Sequence, residues 1–220
     1  MQPTTIAVVG GTGPQGRGLA RWFAQAGHTV ILGSRSAERA SAVADDVTAR
    51  SGATVTGASN ADAVASADIV LIVVPWDGHE ELVADLAPRL AGKLVVSCVN
   101  PLGFDKRGAY GLDVVDGSAA EQTQRLVPTA TVVGAFHHLS AVTLWDSEEP
   151  LDHEDVLVCG DDADARARVL ELATAVTGRA GIEVGPLRLA AQLEPLTAVL
   201  IGVNRLYKTR SGVALAGVPR

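Results

Sequence analysis

Val8-Val9-Gly10-Gly11-Thr12-Gly13-Pro14-Gln15-Gly16-Arg17-Gly18 ends a short β-branched run and leads into a helical pattern carrying Leu19, Trp22 and Phe23. Gly11, Gly13 and Gly16 fit the spacing G-x-G-x-x-G. That spacing alone is common in turns, but between a strand and a helix it has the context of a dinucleotide-binding loop. The glycines permit a tight turn and a close approach to a pyrophosphate. The helix N-terminus adds unpaired N–H groups and the positive end of its dipole. A purely structural strand-to-helix turn is the alternative reading of the same residues.

Outward from this loop, short β-branched runs alternate with helical stretches along most of the chain. Strands are expected over 5–9, 29–32, 54–56, 69–74, 94–99, 131–136, 156–159 and 182–184, and helices over 15–26, 37–50, 79–90, 119–126 and 164–176. Ser118 and Glu121 have the spacing of a capping box, and Gly27, Gly92 and Gly178 stand where helix C-caps belong. This rhythm predicts an α/β fold: a doubly wound, mostly parallel Rossmann sheet of about eight strands with helices on both faces. Beyond Pro186 no strand is readable. Leu189, Leu193, Leu196, Leu200, Val203 and Tyr207 form one helical stripe, with Pro195 expected to kink it or to start a new helix. Two segments follow, a dinucleotide-binding domain over 1–185 and a small helical one over 186–220. Residues 101–117 read as a long, glycine-rich loop without periodicity, placed over the carboxyl edge of the sheet, where ligands bind.

Composition limits the partners. At roughly 100–200 residues per domain, 220 residues hold one full domain and an appendage. A net charge of −7, with Lys93, Lys106 and Lys208 the only lysines, argues against nucleic acid and against a polybasic membrane contact. No apolar run approaches the roughly 18 residues of a membrane span, and no basic n-region precedes one. Cys98 and Cys159 lie apart in apolar runs, which reads as two buried thiols in a reducing compartment, the cytoplasm.

The end of the second strand selects the dinucleotide. An NAD site carries a carboxylate about 20 residues after the glycines to hold the ribose 2′-hydroxyl. Here Gly33-Ser34-Arg35 stands in that place, with Arg39 four residues on. A serine donor and two guanidiniums suit a 2′-phosphate, so NADP is expected, with a solvated arginine at a helix start as the bland alternative. No dedicated proton donor is readable: the Tyr-x-x-x-Lys of short-chain dehydrogenases is missing, because Tyr110 is followed by Val114 and Tyr207 by Ser211. Val74-Pro75-Trp76 ends the fourth strand, where Trp76 either walls a nicotinamide pocket or covers the sheet edge; Asn100-Pro101 is placed similarly. His137-His138 follows the sixth strand. Adjacent strand residues face opposite ways, so the pair does not chelate a metal jointly, and a single histidine there either meets a heterocyclic acceptor or is an ordinary core residue. Asp161, Asp162 and Asp164 open a helix, which their charge suits.

The set Val8 to Gly13, Gly33-Ser34-Arg35, Val74-Pro75-Trp76, Phe136-His137-His138 and Val158-Cys159-Gly160-Asp161-Asp162 resembles, over nearly the whole chain, the coenzyme F-420-dependent NADP oxidoreductases of the actinobacterial kind. The resemblance implies reversible hydride transfer between NADP(H) and an 8-hydroxy-5-deazaflavin, coenzyme F-420, by a homodimer. In such a reaction proximity and orientation of two rings carry the rate. By position, Thr12, Gly13, Pro14 and Gln15 would touch the diphosphate, with Gly11 and Gly16 completing the cofactor-binding loop, and Ser34, Arg35 and Arg39 would touch the 2′-phosphate. His137, Leu139 and Ala141 would line the place where the rings meet. His138 and Ser140 depart from family forms with Thr and Pro. Lys106 and Arg107 are expected near the deazaflavin's phosphate or tail. Two further readings share the scaffold: an NADPH-dependent reductase of a small imine, flavin or metal chelate, and a non-catalytic NADP-sensing module.

Overall fold

The computed structural model describes residues 2–218; Met1, Pro219 and Arg220, the outer ends of the two expected segments, lie outside the described residues. The first half alternates β1 (Thr5–Val9), α1 (Pro14–Gln25), β2 (Thr29–Ser34), α2 (Ala37–Ser51), β3 (Val55–Ser59), α3 (Asn60–Ala65), β4 (Ile69–Ile72), α4 (His79–Leu90) and β5 (Leu94–Ser97). A hairpin, β6 (Leu102–Asp105) with β7 (Gly108–Gly111), interrupts the rhythm before α5 (Ala119–Leu126), β8 (Thr131–Gly134) and α6 (Ala141–Asp146). Then come β9 (Leu157–Gly160), α7 (Ala163–Leu172), α8 (Thr174–Thr177), β10 (Ile182–Gly185) and α9 (Ala190–Tyr207).

Eight strands form one sheet in the order β10-β9-β8-β5-β4-β1-β2-β3. Neighbours are parallel except β8 and β9, so the last two strands run against the other six. Strand order reverses beside β1 and β4, which creates the crevice where doubly wound folds bind ligands. Alternation in β1 sorts the two cores. Ile6 and Val8 pack with Leu19, Phe23 and Leu32 on one face, while Ala7 and Val9 pack with Val70, Ile72, Val83 and Leu90 on the other.

The expected eight-stranded sheet is present, with differences at particular elements. β4, β5 and β8 each stop two residues short of the expected apolar run. Val73 N–H donates to Val9 C=O, Cys98 N–H to Ile72 C=O and Ala135 N–H to Ser97 C=O (2.9, 3.0 and 3.1 Å). Beyond these last rungs the chain leaves the sheet and frames the crevice. The expected single helix over 164–176 is broken after Leu172, with Ala173 between α7 and α8. α3 and α6, six residues each, are too short to show a period.

Residues 101–117 were expected as an aperiodic loop and instead contain the β6–β7 hairpin. Asp105 Oδ1 accepts the N–H of Arg107 (2.7 Å) and Gly108 (3.1 Å), closing the turn. The Tyr110 ring lies across Gly103, and Gly111 abuts Pro195, where a β-carbon would come within 2.8 Å of the proline Cβ. Glycines at these contacts erase the period-two pattern that would have revealed strands. Pro195 does not begin a new helix either, since α9 runs continuously from Ala190 through it to Tyr207. A 3-10 turn over Leu187–Leu189 leads into the helix.

Helix α9 is fastened by the residue before that proline. Glu194 is buried, and its carboxylate accepts the N–H of Ala119 (2.9 Å) and Ala120 (3.1 Å) at the start of α5. Ser118 caps the same helix by accepting Glu121 N–H, as the capping-box spacing predicts. Burial pushes the Glu194 pKa up from 4.5 to about 7 against the lowering pull of the two N–H groups. A folded-state value above the unfolded one means that the folded protein holds the proton more tightly. This group's contribution to stability is therefore complete below pH 4.5 and lost as pH rises through 7. Urea unfolding of the wild type and Glu194→Gln should show the difference between them shifting in favour of the variant from pH 5 to pH 8, by on the order of 2–3 kcal/mol. A pH-independent difference would contradict the assignment.

Candidate functional site

The glycine loop is shaped by contacts that exclude side chains. Gly10 adopts φ 75°, and a β-carbon there would sit 2.6 Å from Val73 O. Gly11 N–H points at both Val8 C=O and Gly33 C=O (3.0 Å each), tying the turn to β1 and to the end of β2. Gly16 approaches Gly11 so closely that a β-carbon would lie 2.7 Å from its Cα, which lets α1 start directly against the loop. At Gly13 a β-carbon would meet only Gly10 O, at 3.4 Å, leaving room beside the helix end. Gly13 is the N-cap and brings no side chain, and Pro14 has no N–H to satisfy. The N–H groups of Gln15 and Gly16 thus have no intrahelical acceptor. The turn is an anion-accepting helix N-terminus.

At the next strand end Ser34 is buried while Arg35 and Arg39 are exposed beside the start of α2. Ser36 caps that helix by accepting Arg39 N–H (3.1 Å). Within the sheet, β2 follows β1 directly, so Ser34 and Arg35 share the carboxyl edge with the glycine loop.

After β8 the chain turns sharply. Phe136 has φ 63°, a left-handed conformation that a bulky residue holds only when its surroundings impose it. Its ring is fully buried and meets Phe23 edge-on at 5.8 Å. Its carbonyl accepts Gln15 Nε2–H at 2.7 Å. The following carbonyl, of His137, accepts Asn100 Nδ2–H (2.8 Å) and Thr197 Oγ1–H (3.0 Å). Three elements thereby fix two successive peptides. His137 is buried, yet neither ring nitrogen has a protein partner. Burial, then the neighbouring His138, push its pKa down to about 3, so the ring is neutral and offers one donor and one acceptor. His138 Nε2 bonds Asp155 C=O (2.6 Å), and burial lowers its pKa as well.

These residues border a cavity of about 360 Å3. One wall is Gln15, Asn100 and residues 137–141, which brings together the sequence-predicted Gln15, Asn100, His137, Leu139 and Ala141. The opposite wall is α9, through Thr197, Leu200, Ile201 and Asn204, and the segment after it, through Arg210 and Ser211. Sequence reading missed this second wall. Its signal was available, since Thr197, Leu200, Ile201 and Asn204 repeat at helical spacing, but Leu200 alone belongs to the apolar stripe. The remaining predicted residues, Gly11, Thr12, Gly13, Pro14, Gly16, Ser34, Arg35 and Arg39, lie outside the cavity lining on the loop and β2 end described above.

Val74, Pro75 and Trp76 leave β4 at the same edge, outside the lining. Trp76 stacks on His79 (5.4 Å between centroids, 25°). His79 is buried with Nδ1 on Gln122 (2.8 Å) and Nε2 on Thr123 (3.2 Å), which fixes the inner face of the half-buried Trp76 ring. Lys106 and Arg107 are exposed at the hairpin turn and do not line the cavity. The Asp162 side chain caps α7 by accepting Ala165 N–H (2.8 Å), and Asp161 accepts Leu187 N–H (3.0 Å). Cys98 and Cys159 are free, buried thiols; burial raises both, Cys159 to about 12.

Nitrogen-detected NMR of the His137 ring should report a neutral imidazole from pH 8 down to pH 4.5. Protonation near pH 6 would show that the ring is solvated rather than enclosed.

The family model described as NADP oxidoreductase coenzyme F-420-dependent matches residues 5–101. The F-420-dependent NADP reductase of Methanothermobacter thermautotrophicus is 37% identical, covering 97% of this chain and 95% of its own. That of Methanocaldococcus jannaschii is 35% identical, covering 93% and 94%. A crystal structure from Arthrobacter sp. FB24, described as a candidate F-420-dependent NADP-reductase, superposes with a TM-score of 0.81 at 30% identity, covering 96% of this chain and all of that one. At 35–37% identity along almost the entire sequence of both proteins, the chain belongs to the F-420-dependent NADP reductase family.

Proposed function

We propose that the protein catalyses reversible hydride transfer between NADP(H) and coenzyme F-420. The observation that carries this reading is the cavity at the carboxyl edge, lined by Gln15 of the glycine loop and by a neutral, buried histidine whose two ring nitrogens have no protein partner. When bound, the two coenzymes supply the chemistry, a hydride passing between nicotinamide C4 and deazaflavin C5. The protein's own residues bind, orient and exclude water. The backbone N–H groups of Gln15 and Gly16, with Gly11, Thr12, Gly13 and Pro14, receive the diphosphate. Gln15 acts through its backbone, because its side chain is committed to Phe136 C=O. Ser34, Arg35 and Arg39 receive the 2′-phosphate. Val74, Pro75, Trp76 and Asn100 border the approach of the nicotinamide, Trp76 held there by its stack on His79. His137, Leu139 and Ala141 line the meeting place of the rings, His137 as a buried, uncharged wall. No carboxylate or lysine is among the described lining residues. This suits a reaction in which stacking two rings at near-attack distance, rather than proton delivery, supplies the rate.

The reading extends to assembly and organisation. Residues 1–185 serve as the dinucleotide half and 186–220 as the half that completes the acceptor side. A homodimer is supported by apolar side chains left exposed on the hairpin and on the α9 against which it packs: Phe104 and Tyr110 on the first, Val199, Leu206 and Tyr207 on the second. No helix among the described residues is long and apolar enough to cross a membrane. With two buried free thiols, a reducing cytoplasm is the proposed location.

Mixing the protein with NADPH and oxidised F-420 should bleach the deazaflavin's visible band, with NADH far slower and free flavins inert. Arg35→Ala should raise KM for NADPH about tenfold or more with little change in kcat, the effect of losing one charge-assisted phosphate contact. Tight NADPH binding without bleaching would favour a sensor, and turnover of small imines or metal chelates alone a different reductase.

A further inference from the structure

Arg210 is the one formally charged residue among the described residues lining the cavity. The two histidines there are held neutral by burial, and the other linings are amides, hydroxyls or hydrocarbon. The Arg210 side chain is exposed. Among the described residues no carboxylate lies within ion-pair distance, and the guanidinium donates to the adjacent Thr209 C=O (3.3 Å). In a chain of net charge −7 that absence of an acid is not the default.

The backbone that carries Arg210 is fastened on both sides. Lys208, at φ 52°, ends α9 and turns the chain back. Ser211 donates both its N–H (2.6 Å) and its hydroxyl (2.8 Å) to Asn204 Oδ1. Gly212 packs so closely on the buried Glu154 carboxyl that a β-carbon would overlap it. Beyond it Asp155 N–H donates to Val213 C=O and Leu215 N–H donates to Asp155 Oδ2 (2.7 Å each). An arginine whose main chain is fixed at the cavity and whose exposed guanidinium has no acidic partner among the described residues is placed to receive an anion.

We infer that Arg210 is a specificity-determining residue that receives the anionic side chain of the acceptor coenzyme, phosphate or carboxylate, at the mouth of the cavity. The inference rests on the proposed reading of this cavity as the place where NADP(H) meets a deazaflavin. It assigns to α9's trailing segment the role that the sequence suggested for Lys106 and Arg107, which stand off the lining at the hairpin turn. The dinucleotide's own phosphates are not the anion in question. Gln15 is the single glycine-loop residue in the lining, and Arg35, just after β2, and Arg39, in the first turn of α2, lie outside it.

Steady-state kinetics with three acceptors tests this: complete F-420, the deazaflavin riboside monophosphate without carboxylates, and the uncharged riboside. Arg210→Ala should lower kcat/KM for complete F-420 about tenfold, chiefly through KM, and for the uncharged riboside twofold or less. Arg210→Glu should deepen the first loss to about a hundredfold, and Arg210→Lys should restore most of it. A loss shared by the monophosphate assigns the contact to phosphate, and one confined to complete F-420 assigns it to carboxylate; either supports the inference. Added salt should raise the wild-type KM for F-420 more than that of Arg210→Ala. Equal losses for charged and uncharged acceptors, or a loss that appears in the KM for NADPH instead, would overturn the role. Absence of turnover by the wild type with every deazaflavin would overturn the proposed reaction, and this inference with it.

Discussion

Two consecutive carbonyls hold the functional half of the molecule together. Gln15 of the dinucleotide helix binds the Phe136 carbonyl, while Asn100 beyond β5 and Thr197 of the tail helix bind the His137 carbonyl. Buried carbonyls left without donors would each cost a few kcal/mol, so these bonds are obligatory once the chain leaves β8 here. They also stabilise the left-handed Phe136 that makes the exit possible. The outcome is a neutral histidine ring enclosed by protein, with its Cε1 edge beside Gly134 and neither nitrogen bonded to protein.

The same junction explains why the tail helix belongs to the site. α9 is placed by Glu194 on the N-terminus of α5 at one point and by Thr197 on His137 three residues later. A buried carboxylate on a helix end is poorly solvated but well complemented by N–H groups. The hairpin covers the helix from the side, with Gly111 against Pro195. Around α1 a second clamp acts on the opposite flank: Arg21 donates to the Trp145 and Ser147 carbonyls and Trp22 Nε1–H to Leu144 C=O. Residues 137–141 are thus suspended between two anchored helices, α9 and α6.

Division of labour between the two ends of the crevice follows from their physics. The glycine loop relies on backbone N–H groups and a helix dipole, which recognise a phosphate without needing a side chain. The cavity relies on shape, neutral polar groups and exclusion of water. Arg35 and Arg39 beside the start of α2, and Arg210 at the cavity, place positive charge along this edge of a protein that is acidic as a whole.

The sequence by itself determined the wound sheet, the tight glycine turn between β1 and α1 and the lack of a carboxylate at the end of β2, because each is written in local spacing: period two against 3.6, glycines where a β-carbon cannot stand, Ser34-Arg35 closing the strand. Five residues of the cavity, Gln15, Asn100, His137, Leu139 and Ala141, were legible from their positions at strand ends and from family likeness. Tertiary structure alone decided the opposite wall. Thr197, Asn204, Arg210 and Ser211 are distant in sequence, and their role depends on where Glu194 docks the helix and on how Lys208 turns the chain back. The hairpin was hidden for a related reason: its strands are held by contacts with α9 and carry glycine where alternation would have marked them. Local pattern encodes elements; which faces meet is set by long-range burial and hydrogen bonding, and no short stretch of sequence contains that.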